Sequence, residues 1–175
     1  ANKDDYDIDD IIGKTGIEYV FEKYLKGTDG EKQKEMAEDG TITGEYVSKN
    51  AIAGSDVVLT IDSNLQKTTE ESLENCINKI KNGGFSQRYD AQGGAAVVMN
   101  VNTGEVLATA SYPTYEPQWF VGGISQENWA YLRDDTRHPQ LNKAIQSTYA
   151  PGSTFKMVTA IAGLETGVIT TKEKI

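Results

Sequence analysis

From Phe155 to Leu164 the chain carries apolar residues on nearly every side of a helical repeat: Phe155, Met157, Val158, Ala160, Ile161, Ala162 and Leu164. A helix apolar all round is normally wrapped by other elements, so this run predicts a helix buried in a domain core. Pro151-Gly152 supplies the turn and helix-entry signal, and Gly167 the C-terminal stop. Lys156 is the only charge between Ser153 and Glu165, which places it in or beside that core.

Ser153 and Lys156 stand one helical turn apart, so hydroxyl and amine share a face. A serine needs a neighbouring base to become a nucleophile. An amine taken out of water can be that base, because desolvation disfavours the ammonium form. The pair points to acyl transfer, with Ser153 as nucleophile and Lys156 as base. The bare S-x-x-K spacing arises about once by chance in a chain of this composition, so the flanking residues carry the weight. The alternative is that Ser153 caps the helix and Lys156 reaches out to solvent.

Together with four further segments, these residues resemble the class B penicillin-binding proteins. Residues 56–66 (DVVLTIDSNLQ) look like the strand and helix that open the transpeptidase domain, and residues 94–108 (GAAVVMNVNTGEVLA) like its first hairpin. Residues 139–145 (PQLNKAI) and 149–153 (YAPGS) are similar to the approach to the nucleophile, and residues 13–18 (GKTGIE) to the segment upstream of the catalytic domain. The segments occur in the family's order and cover nearly the whole chain.

The resemblance implies an α+β fold. The chain would hold the N-terminal part of the serine transpeptidase/β-lactamase-like fold, an antiparallel sheet with a buried helix bearing S-x-x-K, preceded by part of a smaller pedestal domain. Ala53-Gly54 is the candidate boundary, with residues 1–53 as the end of the pedestal (dimerisation) domain or a linker and 54–175 as the start of the transpeptidase domain. In this family the serine attacks the penultimate D-alanine of a peptidoglycan stem peptide, and an amine from a neighbouring stem resolves the acyl-enzyme. Ser153 and Lys156 take those roles by resemblance, and the Ser153 N–H is one of two oxyanion donors. The implied partners are stem peptides ending in D-Ala-D-Ala, β-lactams and other cell-wall synthesis proteins. No metal or organic cofactor is implied. The parent would be anchored in the bacterial membrane upstream of Ala1, with its domain on the extracytoplasmic face.

The family also uses S-x-N and K-[ST]-G motifs C-terminal to the nucleophile. Neither lies between Lys156 and Ile175. Ser48-Lys49-Asn50 and Lys14-Thr15-Gly16 match formally, but they precede Ser153, the reverse of the family's order. Moreover, Thr15 to Glu18 reads as a capping box opening a helix, whereas the family's K-T-G lies on a strand. The chain is expected to be a piece of a larger enzyme, inactive by itself. Two readings compete: a serine β-lactamase or β-lactam sensor, and a non-catalytic scaffold of the cell-wall machinery. The pedestal-like segment at residues 13–50 argues against the first.

Charged residues are 25% and apolar residues 38%, so a core is possible but small. A net charge of −9 argues against nucleic acid, whose phosphates it would repel. The acidic run Asp4, Asp5, Asp7, Asp9 and Asp10 reads as a solvated segment rather than a metal site. Cys76 is the only cysteine and His138 the only histidine, leaving no intrachain disulfide and no ligand set for structural zinc. His138, beside Pro139, reads as a surface residue. No stretch has the length and apolarity of a membrane span, and the first residues do not read as a signal peptide.

Ile17, Val20, Phe21, Tyr24 and Leu25 recur at helical spacing, closed by Gly27. Residues 31–46 read as an exposed hairpin around Asp39-Gly40, belonging either to the pedestal or to a solvated linker. Residues 57–61 read as a strand. Ser63 and Gln66 read as a capping box for a helix whose apolar face is Leu65, Leu73, Cys76, Ile77 and Ile80, stopped by Gly83-Gly84. Residues 94–101 and 105–111 form a second hairpin turning at Asn102-Thr103-Gly104. Tyr115, Trp119, Phe120, Trp129 and Tyr131 border a cleft, meet a partner or belong to an unfinished core, and no role follows from the sequence. Faces left uncovered predict self-association.

Overall fold

The helical spacing from Ile17 to Leu25 forms α1, Gly16–Leu25, as the periodicity predicts. A computed structural model describes Tyr6 and residues 10–172. Asp4, Asp5, Asp7 and Asp9 of the acidic run lie outside the described residues. The chain divides into two compact units, Ala1–Leu59 and Thr60–Ile175.

In the first unit the expected capping box at Thr15 does not form. Thr15 stands at the N-cap without a side-chain bond. The carboxylate of Glu22, one turn beyond Glu18, instead accepts from the Gly13 N–H at 2.8 Å and from the Tyr6 hydroxyl at 3.1 Å. The entering chain is thereby held against α1 at Gly13, while Thr15 gives the helix no side-chain cap. β1 (Glu31–Met36) and β2 (Ile42–Lys49) pair antiparallel, and the Asp39-Gly40 turn joins them with Gly40 at φ +84°. Every residue of β1 is exposed. Lys34 faces Glu45 across the ladder at 3.5 Å, and Lys49 faces Glu31 at 3.7 Å. A bridge between Thr28 and Ile52, and the Ser55 N–H on the Tyr24 carbonyl at 2.7 Å, tie the base of the hairpin to α1. At Gly54 the backbone passes so close to Leu25 that a Cβ would collide with its carbonyl.

The second unit opens differently from expectation. Residues 57–61 form no strand; they run without a ladder, and a strand requires a partner along its length. What holds this approach is a pair of long-range bonds: the Thr60 hydroxyl donates to the Val106 carbonyl at 2.6 Å, and the Asp62 N–H to that of Leu107 at 2.9 Å. Asp62, rather than Ser63, caps α2 (Ser63–Lys81), accepting from the Asn64 and Leu65 N–H groups at 2.9 Å each. Gln66 is thereby released from capping. Its side-chain amide pairs with the backbone of Thr109, donating to the carbonyl and accepting from the N–H, both at 2.8 Å.

β3 (Gly94–Met99) and β4 (Val106–Tyr112) form an antiparallel hairpin, with Gly104 in the turn at φ +79°. Small residues let α2 approach closely. Ile77, 6% exposed, and Leu73 lie over Gly94, and Ala108 is wholly buried. Cys76, expected on this face, is exposed, because the contacting stripe runs through Leu73 and Ile77 and leaves the intervening residue at its edge. After a 3₁₀ turn at Pro117–Phe120 come α3 (Gln126–Asp134) and the short α4 (Lys143–Gln146). The aromatics of this stretch pack on one another edge to face, Tyr115 on Phe120 and Trp119 on Tyr131. A second 3₁₀ turn, Gly152–Phe155, leads into α5 (Lys156–Glu165). Helices and short antiparallel sheets make this an α+β chain. Among the described residues no helix is long and apolar enough to cross a membrane.

α5 is not buried. None of its residues is, and Met157 is 70% exposed. The side chain of Ile169 folds back onto Gly163 within it. The apolar pattern specified a helix that needs wrapping, and among the described residues nothing wraps it.

Candidate active site

The turn that carries Ser153 begins at Pro151, with φ −62°, followed by Gly152 at φ +55°, a left-handed conformation that other side chains rarely adopt. The Thr154 N–H returns to the Pro151 carbonyl at 3.2 Å, and the Lys156 N–H caps the turn on the Ser153 carbonyl. A 3₁₀ turn has about three residues per turn, so side chains at i and i+3 eclipse. Ser153 and Lys156 therefore stand one above the other at the head of α5. The Ser153 N–H is a first-turn amide, which by position lacks an intrahelical partner and is available to an anion. Both residues are exposed, so the desolvation expected for Lys156 is not supplied by the described residues. A concavity of about 1110 Å³ in the first unit, lined by Tyr19, Lys23, Lys26 and Lys49 among others, has no serine or cysteine in its lining.

His138 lies on the surface, as read from the sequence, at φ +53°. Its carbonyl accepts from Lys143 Nζ at 2.9 Å. Lys143 is buried at 8% exposure, a placement the sequence did not suggest. Burial pulls its ammonium below the ordinary lysine range, Asp135 opposing the shift and Arg137 adding to it. The Arg137 guanidinium grips Asp135 through both oxygens, at 2.7 and 3.0 Å, and the Arg137 N–H adds a bond at 2.9 Å. These hydrogen bonds hold the Asp135 carboxyl at about 2. A lysine between an Asn cap and an alanine has no single-sequence signature that separates it from a surface lysine.

Two family models match. Residues 1–59 match the penicillin-binding protein dimerisation domain, and residues 94–175 the penicillin-binding protein transpeptidase domain. The peptidoglycan D,D-transpeptidase MrdA of Acinetobacter baumannii is 33% identical over 168 residues, covering 96% of this chain. The chain spans 23% of that relative's length. A solved structure of a peptidoglycan synthase complex contains a chain 36% identical, with a TM-score of 0.81 over 99% of this chain and 30% of that one. Pseudomonas aeruginosa PBP2 in complex with WCK 5153 is 37% identical, with a TM-score of 0.63 over 94% of this chain and 29% of that one. With both domain models matched in order, the chain belongs to the penicillin-binding protein family, of the class B type that joins a dimerisation domain to a transpeptidase domain.

Proposed function

We propose that the protein containing this chain is a serine D,D-transpeptidase that crosslinks peptidoglycan stem peptides, and that β-lactams acylate it by imitating the D-Ala-D-Ala end. The observation that carries this reading is the single 3₁₀ turn stacking Ser153 and Lys156 inside the stretch matched by the transpeptidase model. Ser153 Oγ attacks the carbonyl of the penultimate D-alanine while its proton passes to Lys156 Nζ as the base. The peptide bond then breaks, and the departing D-alanine amine takes that proton. An amine of a neighbouring stem attacks the resulting ester, forming the crosslinking amide. The proton it gives up returns through Lys156 to restore the Ser153 hydroxyl. The Ser153 N–H is one of the donors that hold the oxyanion, an interaction whose removal typically costs about 10²–10³ in rate.

The dimerisation part ends between residues 53 and 59, and the transpeptidase part follows. With Ser153 and Lys156 both exposed, residues 1–175 taken alone are expected not to acylate. The partners are other cell-wall synthesis proteins, in keeping with the likeness to a chain of a peptidoglycan synthase complex. The site of action is the extracytoplasmic face of the bacterial membrane, with the anchor outside the described residues.

Intact-mass measurement of the full-length protein after exposure to a labelled penicillin tests this. One adduct per molecule, absent in Ser153→Ala, supports the reading; no adduct on folded protein sinks it. Steady consumption of the antibiotic would instead mark a hydrolase.

A further inference from the structure

We propose that Lys143 is a positioning residue for Ser153: it locks the segment leading into the Ser153 turn onto the end of the β3–β4 hairpin. The inference rests on Ser153 being the acylated serine. Lys143 is the only charged residue buried among the described residues. Its stem runs over Gly93, where an added Cβ would stand 3.2 Å from Lys143 Cε and 2.6 Å from the Tyr112 carbonyl. The Tyr112 carbonyl excludes a side chain at Gly93, and the lysine stem packs tightly against the same spot. The ammonium donates to the His138 carbonyl at 2.9 Å. The Lys143 backbone N–H donates to Ser111 Oγ at 3.1 Å, and that hydroxyl donates to the Leu141 carbonyl at 3.2 Å. His138, Leu141 and Lys143 are thus fastened together, and Ser111 fixes two of the three to β4.

An ammonium is costly to bury, and a surface lysine would avoid that cost. Here the bond to His138 and the charge of Asp135, itself gripped by Arg137, offset it. The partner is a residue at φ +53°, a left-handed backbone that histidine adopts more readily than most non-glycine residues. α4 is the last element before the Ser153 turn that is tied to the sheet, and only residues 147–151 intervene. Releasing the clamp lets that tether, and with it Ser153, drift from the rest of the site.

The test uses the full-length protein and a fluorescent penicillin, separating the rate of labelling from the final labelled fraction. Lys143→Met keeps most of the stem and removes the charge. Labelling is expected to slow by about 10- to 100-fold at an unchanged final fraction, the scale of a displaced reacting group. Lys143→Arg, which keeps a cationic donor, is expected to restore most of the rate. An unchanged rate in Lys143→Met, a fall in labelled fraction without a fall in rate, or no rescue by arginine would overturn the proposal. If Lys143→Met does not fold, Ser111→Ala carries the test: slower labelling at full fraction supports the clamp, and an unchanged rate refutes it. Wild-type protein that takes no label, or Ser153→Ala that labels normally, would defeat the acyl-serine reading instead.

Discussion

The two hairpins of this chain have the same ladder and opposite surroundings. β1–β2 exposes every residue of its first strand and sets lysine against glutamate across the pair. β3–β4 is rich in alanine and valine, with α2 seated on one face and Ala108 fully enclosed. Backbone pairing alone leaves a two-stranded sheet marginal in water, so the second hairpin draws its stability from the helix and the first from its turn and its tie to α1. The contrast extends to α5, whose pattern asks for burial more strongly than that of α2 and which is left exposed. Apolar pattern states a requirement; a partner surface has to meet it.

The sharpest way to break the contrast is Ile77→Ala in the full-length protein. Removing a side chain seated on Gly94 should cost about 2–5 kcal/mol locally. Amide exchange should accelerate across β3–β4 and α2 while β1–β2 is unchanged; equal acceleration in both hairpins would contradict independent support. Next comes Gln66→Ala, which strips Thr109 of two hydrogen bonds on the outer edge of β4. A loss of about 1–3 kcal/mol is expected, read as faster exchange at the Thr109 amide. The smallest effect belongs to the other hairpin. Lys34→Ala removes an ion pair with both partners about half exposed, worth no more than about 1 kcal/mol and shrinking further with salt. A larger loss would mean that β1–β2 relies on its charges more than its exposure suggests.

Several elements were legible in the sequence because their causes are local. The spacing of Ile17 to Leu25, the turns at Asp39-Gly40 and Asn102-Thr103-Gly104, and the Gly83-Gly84 stop each rest on residues within one or two turns. The one-turn spacing of Ser153 and Lys156 was legible for the same reason, since the backbone of a single turn sets it. The misreadings share the opposite property. Residues 57–61 have strand composition but no ladder, and Gln66 left its expected cap for a strand brought alongside it by the fold. Cys76 fell just off the contact stripe, which depends on how α2 lies on the hairpin.

The sequence by itself determined α1, α2 and α5, the two hairpin turns, the family and the one-turn spacing of Ser153 and Lys156, because periodicity, glycine placement and one-turn spacing act between near neighbours. Only the tertiary structure decided that Lys143 is buried, that Gln66 pairs with Thr109, and that among the described residues α5 stands uncovered. Burial and long-range hydrogen bonds depend on which surfaces meet in space, and nothing in the local order of residues encodes that meeting.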